Sequence, residues 1–96
     1  MKIRVKPYLT LKKTLGDRSV LEVDVEDATI RRVLDTLSER YGKGFSDIVY
    51  DPKTKDISKD IRVLVNGRHY NYLPKRLDAK LKEGDEVALF PQVAGG

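Results

Sequence analysis

The carboxyl end is the part of this sequence whose residue types and spacing are best suited to chemistry. The chain closes with the run Phe90-Pro91-Gln92-Val93-Ala94-Gly95-Gly96. Pro91 cannot donate a ladder hydrogen bond and two glycines oppose ordering, so we predict a flexible tail over residues 92–96. Such a tail would hold the Gly96 carboxylate in solvent, at the end of the exposed stretch Ala94-Gly95-Gly96. The alternative is an idle terminus, since many chains end in frayed small residues.

The remaining side chains offer little independent chemistry. The sequence has no cysteine, which excludes disulfides, thiolate zinc sites and a cysteine nucleophile. His69 is the single histidine and has no partner at ligand or base spacing, so we interpret it as a surface strand residue. Asp51, Asp56 and Asp60 lack the spacing of a calcium loop. We therefore predict no metal site and no autonomous enzyme.

Length and composition indicate a single globular domain. The chain has 96 residues, of which 40% are hydrophobic and 35% charged, with a net charge of +4. Lys and Arg alternate with Asp and Glu, which favours a solvated mixed-charge surface over a nucleic-acid interface. No apolar run reaches the roughly 20 residues that cross a bilayer, and no secretory signal is evident. We expect a cytoplasmic protein that does not bind membranes.

Two stretches near the amino end alternate between apolar and polar residues, as half-buried strands do. They cover residues 2–9 and 21–25, and we predict that a short connection joins them into a hairpin. Pro7 suggests a bend near the end of the first strand. The inward-facing residues of the hairpin would be Ile3, Val5, Leu21, Val23 and Val25.

After these two stretches the apolar residues recur at the spacing of an α-helix. Ile30, Val33, Leu34, Leu37 and Tyr41 form one apolar stripe. Thr29 is the predicted N-cap, and Gly42 suits the left-handed residue that ends a helix. Residues 42–60 form an unusually long connection, in which Ile48-Val49-Tyr50 is the candidate for local structure.

The second half of the chain predicts three more strands. Residues 61–65 alternate and are followed by Asn66-Gly67, a strong hairpin signal. We assign a short returning strand to His69, Tyr70 and Tyr72, and a last strand to residues 86–90 that Pro91 ends. The predicted core comprises Ile3, Val5, Leu21, Val23, Val25, Ile30, Val33, Leu34, Leu37, Ile61, Val63, Val65, Val87 and Leu89.

This order of elements predicts an α+β fold, a β-grasp roll with one main helix across a mixed sheet of about four to five strands. The right-handed crossover rule lets the last strand pair beside the first in the sheet centre. We assign residues 1–91 to the domain and 92–96 to the tail. Leu64 and Phe90 fall on the open face by alternation, so together with Pro91 and Val93 they are predicted partner contacts. The alternative is that the preceding loop covers Phe90.

The runs "VLVNGR" and "LKEGDEVALFPQVAGG" resemble the hairpin and terminal signature of the MoaD/ThiS-like family of ubiquitin-fold sulfur carriers. The resemblance covers the whole chain in outline and is closest from Ile61 to Gly96. The connection over residues 42–60 looks longer than in the bacterial molybdopterin synthase small subunits, and Gln92 stands where those often have a second proline. Both features are similar to the archaeal small modifier proteins.

The resemblance implies that an E1-like activating enzyme adenylates Gly96 with ATP and Mg²⁺ and that sulfur then replaces AMP, leaving a thiocarboxylate. It implies no cofactor bound by this chain. The simplest role is sulfur donation beside the molybdopterin synthase large subunit, in molybdenum or tungsten cofactor biosynthesis. A protein modifier joined through Gly96 to target lysines uses the same activated acyl group. A third alternative is a β-grasp interaction or nucleic-acid-binding domain with an idle tail.

Overall fold

The computed structural model describes residues 1–91. Within this range five strands form one sheet, with helices on one side of it. The strands are β1 Lys2–Pro7, β2 Leu21–Asp24, β3 Ile61–Val65, β4 Arg68–His69 and β5 Glu86–Pro91. The helices are α1 Leu9–Thr14, α2 Ile30–Tyr41 and α3 Lys43–Val49, and short 3₁₀ turns cover Tyr70–Tyr72 and Arg76–Asp78. None of the helices in residues 1–91 is long and apolar enough to pass through a membrane.

The central feature of the sheet is a parallel pair made by the first and last strands. The strand order is β2-β1-β5-β3-β4, and β1 runs parallel to β5 with Val5 opposite Val87. The other pairs are antiparallel. A parallel pair needs a long crossover, which α2 and the second hairpin supply. The fold is the predicted β-grasp.

The first two strands pair as predicted, but their connection is not a simple turn. Helix α1 occupies it and buries Leu11 and Leu15 completely. These two leucines lie four residues apart and so share one face of the helix. The prediction of a short connection is wrong because a helix this short shows too little periodicity in sequence to be recognised.

Helix α2 has the predicted boundaries. The Thr29 hydroxyl accepts a hydrogen bond of 3.1 Å from the backbone N–H of Arg32, which satisfies one of the free donors of the first turn. Gly42 ends the helix with φ of 71°, a region open to glycine. These two caps set the length of the apolar stripe that covers the sheet.

The long connection over residues 42–60 is structured. Helix α3 buries Phe45 and Val49, and an isolated bridge joins Tyr50 to Ile57. The Tyr50 hydroxyl donates a 3.1 Å hydrogen bond to Asp35 of α2. Burial and the neighbouring Asp35 carboxylate raise the pKa of Tyr50, so the phenol remains a donor. The candidate Ile48-Val49-Tyr50 segment is thus the end of a helix and the bridge that follows it.

The strand after Asn66-Gly67 is shorter than predicted. It ends at His69, and the chain then turns through a 3₁₀ segment in which Tyr70 is buried. The assignment of Tyr70 and Tyr72 to a strand is therefore wrong. The His69 Nδ1 atom accepts a 3.1 Å hydrogen bond from the Asn71 N–H, which favours the turn over a continued strand.

All fourteen predicted core residues are buried in a single cluster. Alternation and helical periodicity identify them because each element presents one apolar face to the same layer. The connections contribute further members that periodicity could not reveal. These are Leu11, Leu15, Ala28, Phe45, Val49, Ile57, Tyr70, Leu77 and Leu81.

The position of Leu34 at the centre of α2 gives a test of the packing. Leu34 is fully buried. We expect Leu34→Ala to lower the free energy of unfolding by about 2 to 5 kcal/mol, because the substitution leaves a cavity. The measurement is urea unfolding followed by circular dichroism. Glu39→Ala, on the exposed side of the same helix, is the control and should change stability by less than about 0.5 kcal/mol.

Candidate functional site

The position of the carboxyl-terminal strand is set at its beginning. The Gly84 N–H donates to the Lys2 carbonyl at 2.8 Å, and the Asp85 carbonyl accepts from the Arg4 N–H at 2.9 Å. On the other side, the side-chain oxygen of Asn66 accepts from the Glu86 N–H at 3.0 Å. Strand β5 is thereby tied to β1 and to the β3–β4 turn. Its register follows from these contacts, and the register determines where the chain leaves the sheet.

Asn66 can make this contact because of its backbone conformation. Its φ is 50° and that of Gly67 is 86°, the left-handed pair of a tight hairpin turn. Its side-chain amide also donates to Asp85 at 3.1 Å. The predicted Asn66-Gly67 turn thus has two roles, one in closing the hairpin and one in holding β5.

The open face carries the two apolar residues that alternation places there. Phe90 lies opposite Arg62 and Leu64 lies opposite Ala88 across the β3–β5 pair, and both Phe90 and Leu64 are half-buried. Ala88 is buried, although it shares this face. Its small side chain lies between the longer Leu64 and Lys6 that pair with it on either side. Alternation alone would leave Ala88 open to solvent, but these neighbours bury it.

Phe90 has an aromatic partner that the sequence analysis missed. The Tyr8 ring stacks on the Phe90 ring with centroids 4.0 Å apart and an interplanar angle of 7°. The Tyr8 N–H donates to the Leu89 carbonyl at 3.1 Å, which continues the parallel pairing one residue beyond Pro7. The sequence did hold a signal for this contact. Tyr8 is an even number of positions away from the open-face residues of β1, so alternation places it on the same face. Only the register to β5 brings the two rings together.

Beside the stacked pair, the open face forms a groove that we call the sheet-face groove. It has a volume of about 600 Å³. The aromatic side chain of Tyr72 is largely exposed at its edge, and the His69 ring meets the Tyr72 ring edge-on at 6.3 Å. A neutral His69 must carry its proton on Nε2, because Nδ1 accepts from Asn71. The groove is lined by Arg62, Leu64, Gly67, His69, Tyr72, Phe90 and Pro91.

The chemistry of the groove is that of a contact surface. Its lining combines aromatic, aliphatic and cationic side chains and contains no carboxylate. Over residues 1–91, no three histidine or acidic side chains come together as metal ligands would. Lys6 pairs with Glu86 at 3.1 Å beyond the groove. Apolar anchors with a polar surround are the usual composition of a protein-binding patch.

Pro91 is the last residue that the structure describes. It lies opposite Ile61, so β5 extends one residue beyond its predicted end. It also lines the sheet-face groove. The predicted residues Val93, Ala94, Gly95 and Gly96 lie outside the described range. The described part of the chain therefore ends at the groove, next to the Tyr8–Phe90 pair.

Comparisons with known proteins agree on one family. A sequence profile of the ThiS family matches residues 8–96. A protein of Archaeoglobus fulgidus, provisionally named a sulfur carrier protein, is 36% identical over 96% of this chain and 98% of its own length. Small archaeal modifier protein 3 of Haloferax volcanii is 31% identical over the full length of both chains. A solved structure from Pyrococcus furiosus, provisionally named molybdopterin converting factor subunit 1, superposes with a TM-score of 0.72 at 28% identity, covering 97% of this chain and 99% of that one.

The stacked rings give a test of the site's construction. We expect Tyr8→Ala and Phe90→Ala to be non-additive, because each single substitution removes the same ring contact. A double-mutant cycle in urea should give a coupling free energy of about 0.5 to 1.5 kcal/mol. Effects that add to within about 0.3 kcal/mol would show that the rings do not stabilise one another.

Proposed function

Because the chain belongs to the ThiS family, we propose that it is a sulfur carrier whose Gly96 carboxylate is activated by a partner enzyme and converted to a thiocarboxylate. The observation that carries the proposal is the Gly95-Gly96 terminus, which follows a strand tied into the sheet centre. A fixed strand β5 gives the tail a defined starting point relative to any partner that docks on the open face. The carrier itself then needs no catalytic group.

The reaction proceeds in two steps. A Gly96 carboxylate oxygen attacks the α-phosphorus of ATP and pyrophosphate leaves, which gives an acyl adenylate. A sulfur nucleophile supplied by the partner system then attacks the acyl carbon and AMP leaves. The activating enzyme supplies Mg²⁺ and the groups that stabilise the phosphates, since the side chains of the sheet-face groove and of residues 92–96 include no carboxylate to hold the metal.

Glycine at the last two positions suits this chemistry. Without a Cβ atom, Gly95 and Gly96 can enter a channel that excludes side chains and bring the acyl carbon close to the reacting atoms. Ala94 has the smallest side chain that a residue other than glycine can have. Phe90, Leu64, Pro91 and Val93 would contact the partner around the channel entrance.

We propose as the finer assignment that the chain is the small subunit of a cytoplasmic molybdopterin synthase, with the large subunit as its second partner. The Pyrococcus furiosus structure and the resemblance of residues 61–96 support this assignment. Conjugation to target lysines is the second candidate, and the Haloferax volcanii relative supports it. The two differ only in the nucleophile that receives the acyl group.

The length of the tail tests the proposal. We expect deletion of Gly96, or addition of one residue after it, to abolish ATP–pyrophosphate exchange with the host's activating enzyme. The acyl carbon must come within roughly 3 to 3.5 Å of the reacting atoms. One residue changes the reach by about 3.3 to 3.6 Å. Circular dichroism and the melting temperature should not change, and equal exchange by all three chains would refute the proposal.

The fate of the acyl group separates the two candidates. Intact-mass spectrometry of the protein from its own host should show one oxygen replaced by sulfur if it is a carrier. A Gly-Gly remnant on lysines of other proteins would instead identify a modifier.

The sheet-face groove gives a prediction about the partner. We expect Phe90→Ala to weaken binding of the activating enzyme by more than about 1 kcal/mol, because it removes the aromatic anchor. Isothermal titration calorimetry measures the change. Glu22→Ala, on the exposed part of β2, is the control and should bind like the unmodified chain. Unchanged affinity for Phe90→Ala would remove the groove from the interface.

A further inference from the structure

Leu9 is an unusual residue for its position. Its side chain is 58% exposed, and its backbone has φ of 55°, a region that glycine and asparagine tolerate better than leucine. Leu11 and Leu15, which follow it, are completely buried, whereas Leu9 at the start of α1 stays outside the core. Packing within the described residues therefore does not account for an aliphatic side chain here.

The charges around Leu9 are one-sided. Residues 2–18 contain six Lys or Arg and a single carboxylate, Asp17, whereas the remaining residues contain thirteen Lys or Arg and fourteen Asp or Glu. Helix α1 carries Lys12 and Lys13 and no acidic residue. Lys12 and Lys6 line a shallow hollow beside Tyr8. In β1, Lys6 is paired with Glu86 at 3.1 Å and Arg4 lies opposite Glu22, so the basic surface near Leu9 is that of Lys12 and Lys13.

The basic surface beside Leu9 adjoins the end of β5 at Pro91. Leu9 follows Tyr8, whose ring stacks on Phe90, and Phe90 immediately precedes Pro91. A partner that holds the tail and covers Phe90 must therefore approach the β1–α1 corner. The corner and the sheet-face groove flank the stacked rings on two sides.

We propose that Leu9 is a specificity-determining contact for the enzyme that activates Gly96, which would present an apolar socket surrounded by acidic side chains. The inference rests on the proposed function, because it takes that enzyme as the partner. Leu9 supplies the apolar contact, while Lys12 and Lys13 supply long-range attraction and select an acidic rim.

The nature of the surface favours a protein over a nucleic acid. An aliphatic side chain at the centre of a cationic rim fits an interface whose apolar middle excludes water. Single-stranded nucleic acids bind to exposed aromatic faces, whereas the Tyr8 ring is stacked on Phe90. Polynucleotide binding is nevertheless included as an outcome of the test.

The test uses the full-length chain and the host's activating enzyme. Leu9→Asn and Leu9→Gly both suit a positive φ, so the melting temperature should stay constant or rise. We expect Kd for the enzyme to increase at least about tenfold. In ATP–pyrophosphate exchange, KM for the carrier should rise while kcat is retained, because the tail still reaches the reacting atoms.

Matched variants separate the apolar contact of Leu9 from the electrostatic attraction of Lys12 and Lys13. Lys55→Gly removes a similar left-handed non-glycine residue, with φ of 60°, at an exposed position of the connection between α3 and β3, and this variant should bind normally. The double charge reversal Lys12→Glu/Lys13→Glu should weaken binding most at low salt. The reversal Lys75→Glu/Lys80→Glu, on a different part of the surface, should have less effect.

The outcomes separate this inference from the proposed function. If the unmodified chain supports exchange and Leu9→Asn binds within about twofold of it, the inference is overturned and the carrier function stands. If the unmodified chain binds but supports no exchange, the carrier function fails. The change in Kd between the unmodified chain and Leu9→Asn still decides the role of Leu9. Absence of binding overturns both. Tighter binding to a short single-stranded RNA than to the enzyme, lost in the Lys12/Lys13 variant, would also overturn the inference.

Discussion

The parallel pairing of β1 with β5 is the constraint on which the rest of the structure depends. It brings the first and last strands of the chain together in the middle of the sheet, where neither strand has an edge exposed to solvent. The pairing requires α2 as a crossover and creates the apolar layer that α2 covers. It also means that the residues preceding the tail belong to the most restrained part of the fold. A terminus with small residues is thereby attached to a rigid base.

The same pairing builds the surface around the tail. Hydrogen bonds from Asn66 and Gly84 set the register of β5 at one end, and that register places Phe90 against Tyr8 at the other end. Phe90 is therefore both an internal contact and a groove residue. Sequence alone left open whether Phe90 is a partner anchor or is covered by the preceding loop, and its role as an anchor remains a prediction. Tyr8 covers one face, and the ring also lines the sheet-face groove.

The family assignment and the proposed chemistry concern different parts of the molecule. The ThiS-family match covers residues 8–96 and the fold agrees with it. The proposed reaction takes place at Gly96 and in partners, so it depends on how the domain docks as well as on what the tail carries. The reach of the tail and the docking of the domain on a partner can be measured separately. Tail length should change kcat, while surface residues such as Phe90 and Leu9 should change the affinity for the partner.

The sequence by itself determined the elements whose signal is local or periodic. The buried faces of β1 and α2, the caps Thr29 and Gly42, and the Asn66-Gly67 turn could be predicted because each depends on neighbours a few residues away. The chemistry proposed for the tail is inferred from residue type and from the family, and it concerns residues outside the described range. Only the tertiary structure decided the stacking of Tyr8 on Phe90, the burial of Ala88 and the exposure of Leu9. These depend on strand register and on short helix α1, where contacts between distant parts of the chain outweigh local preference.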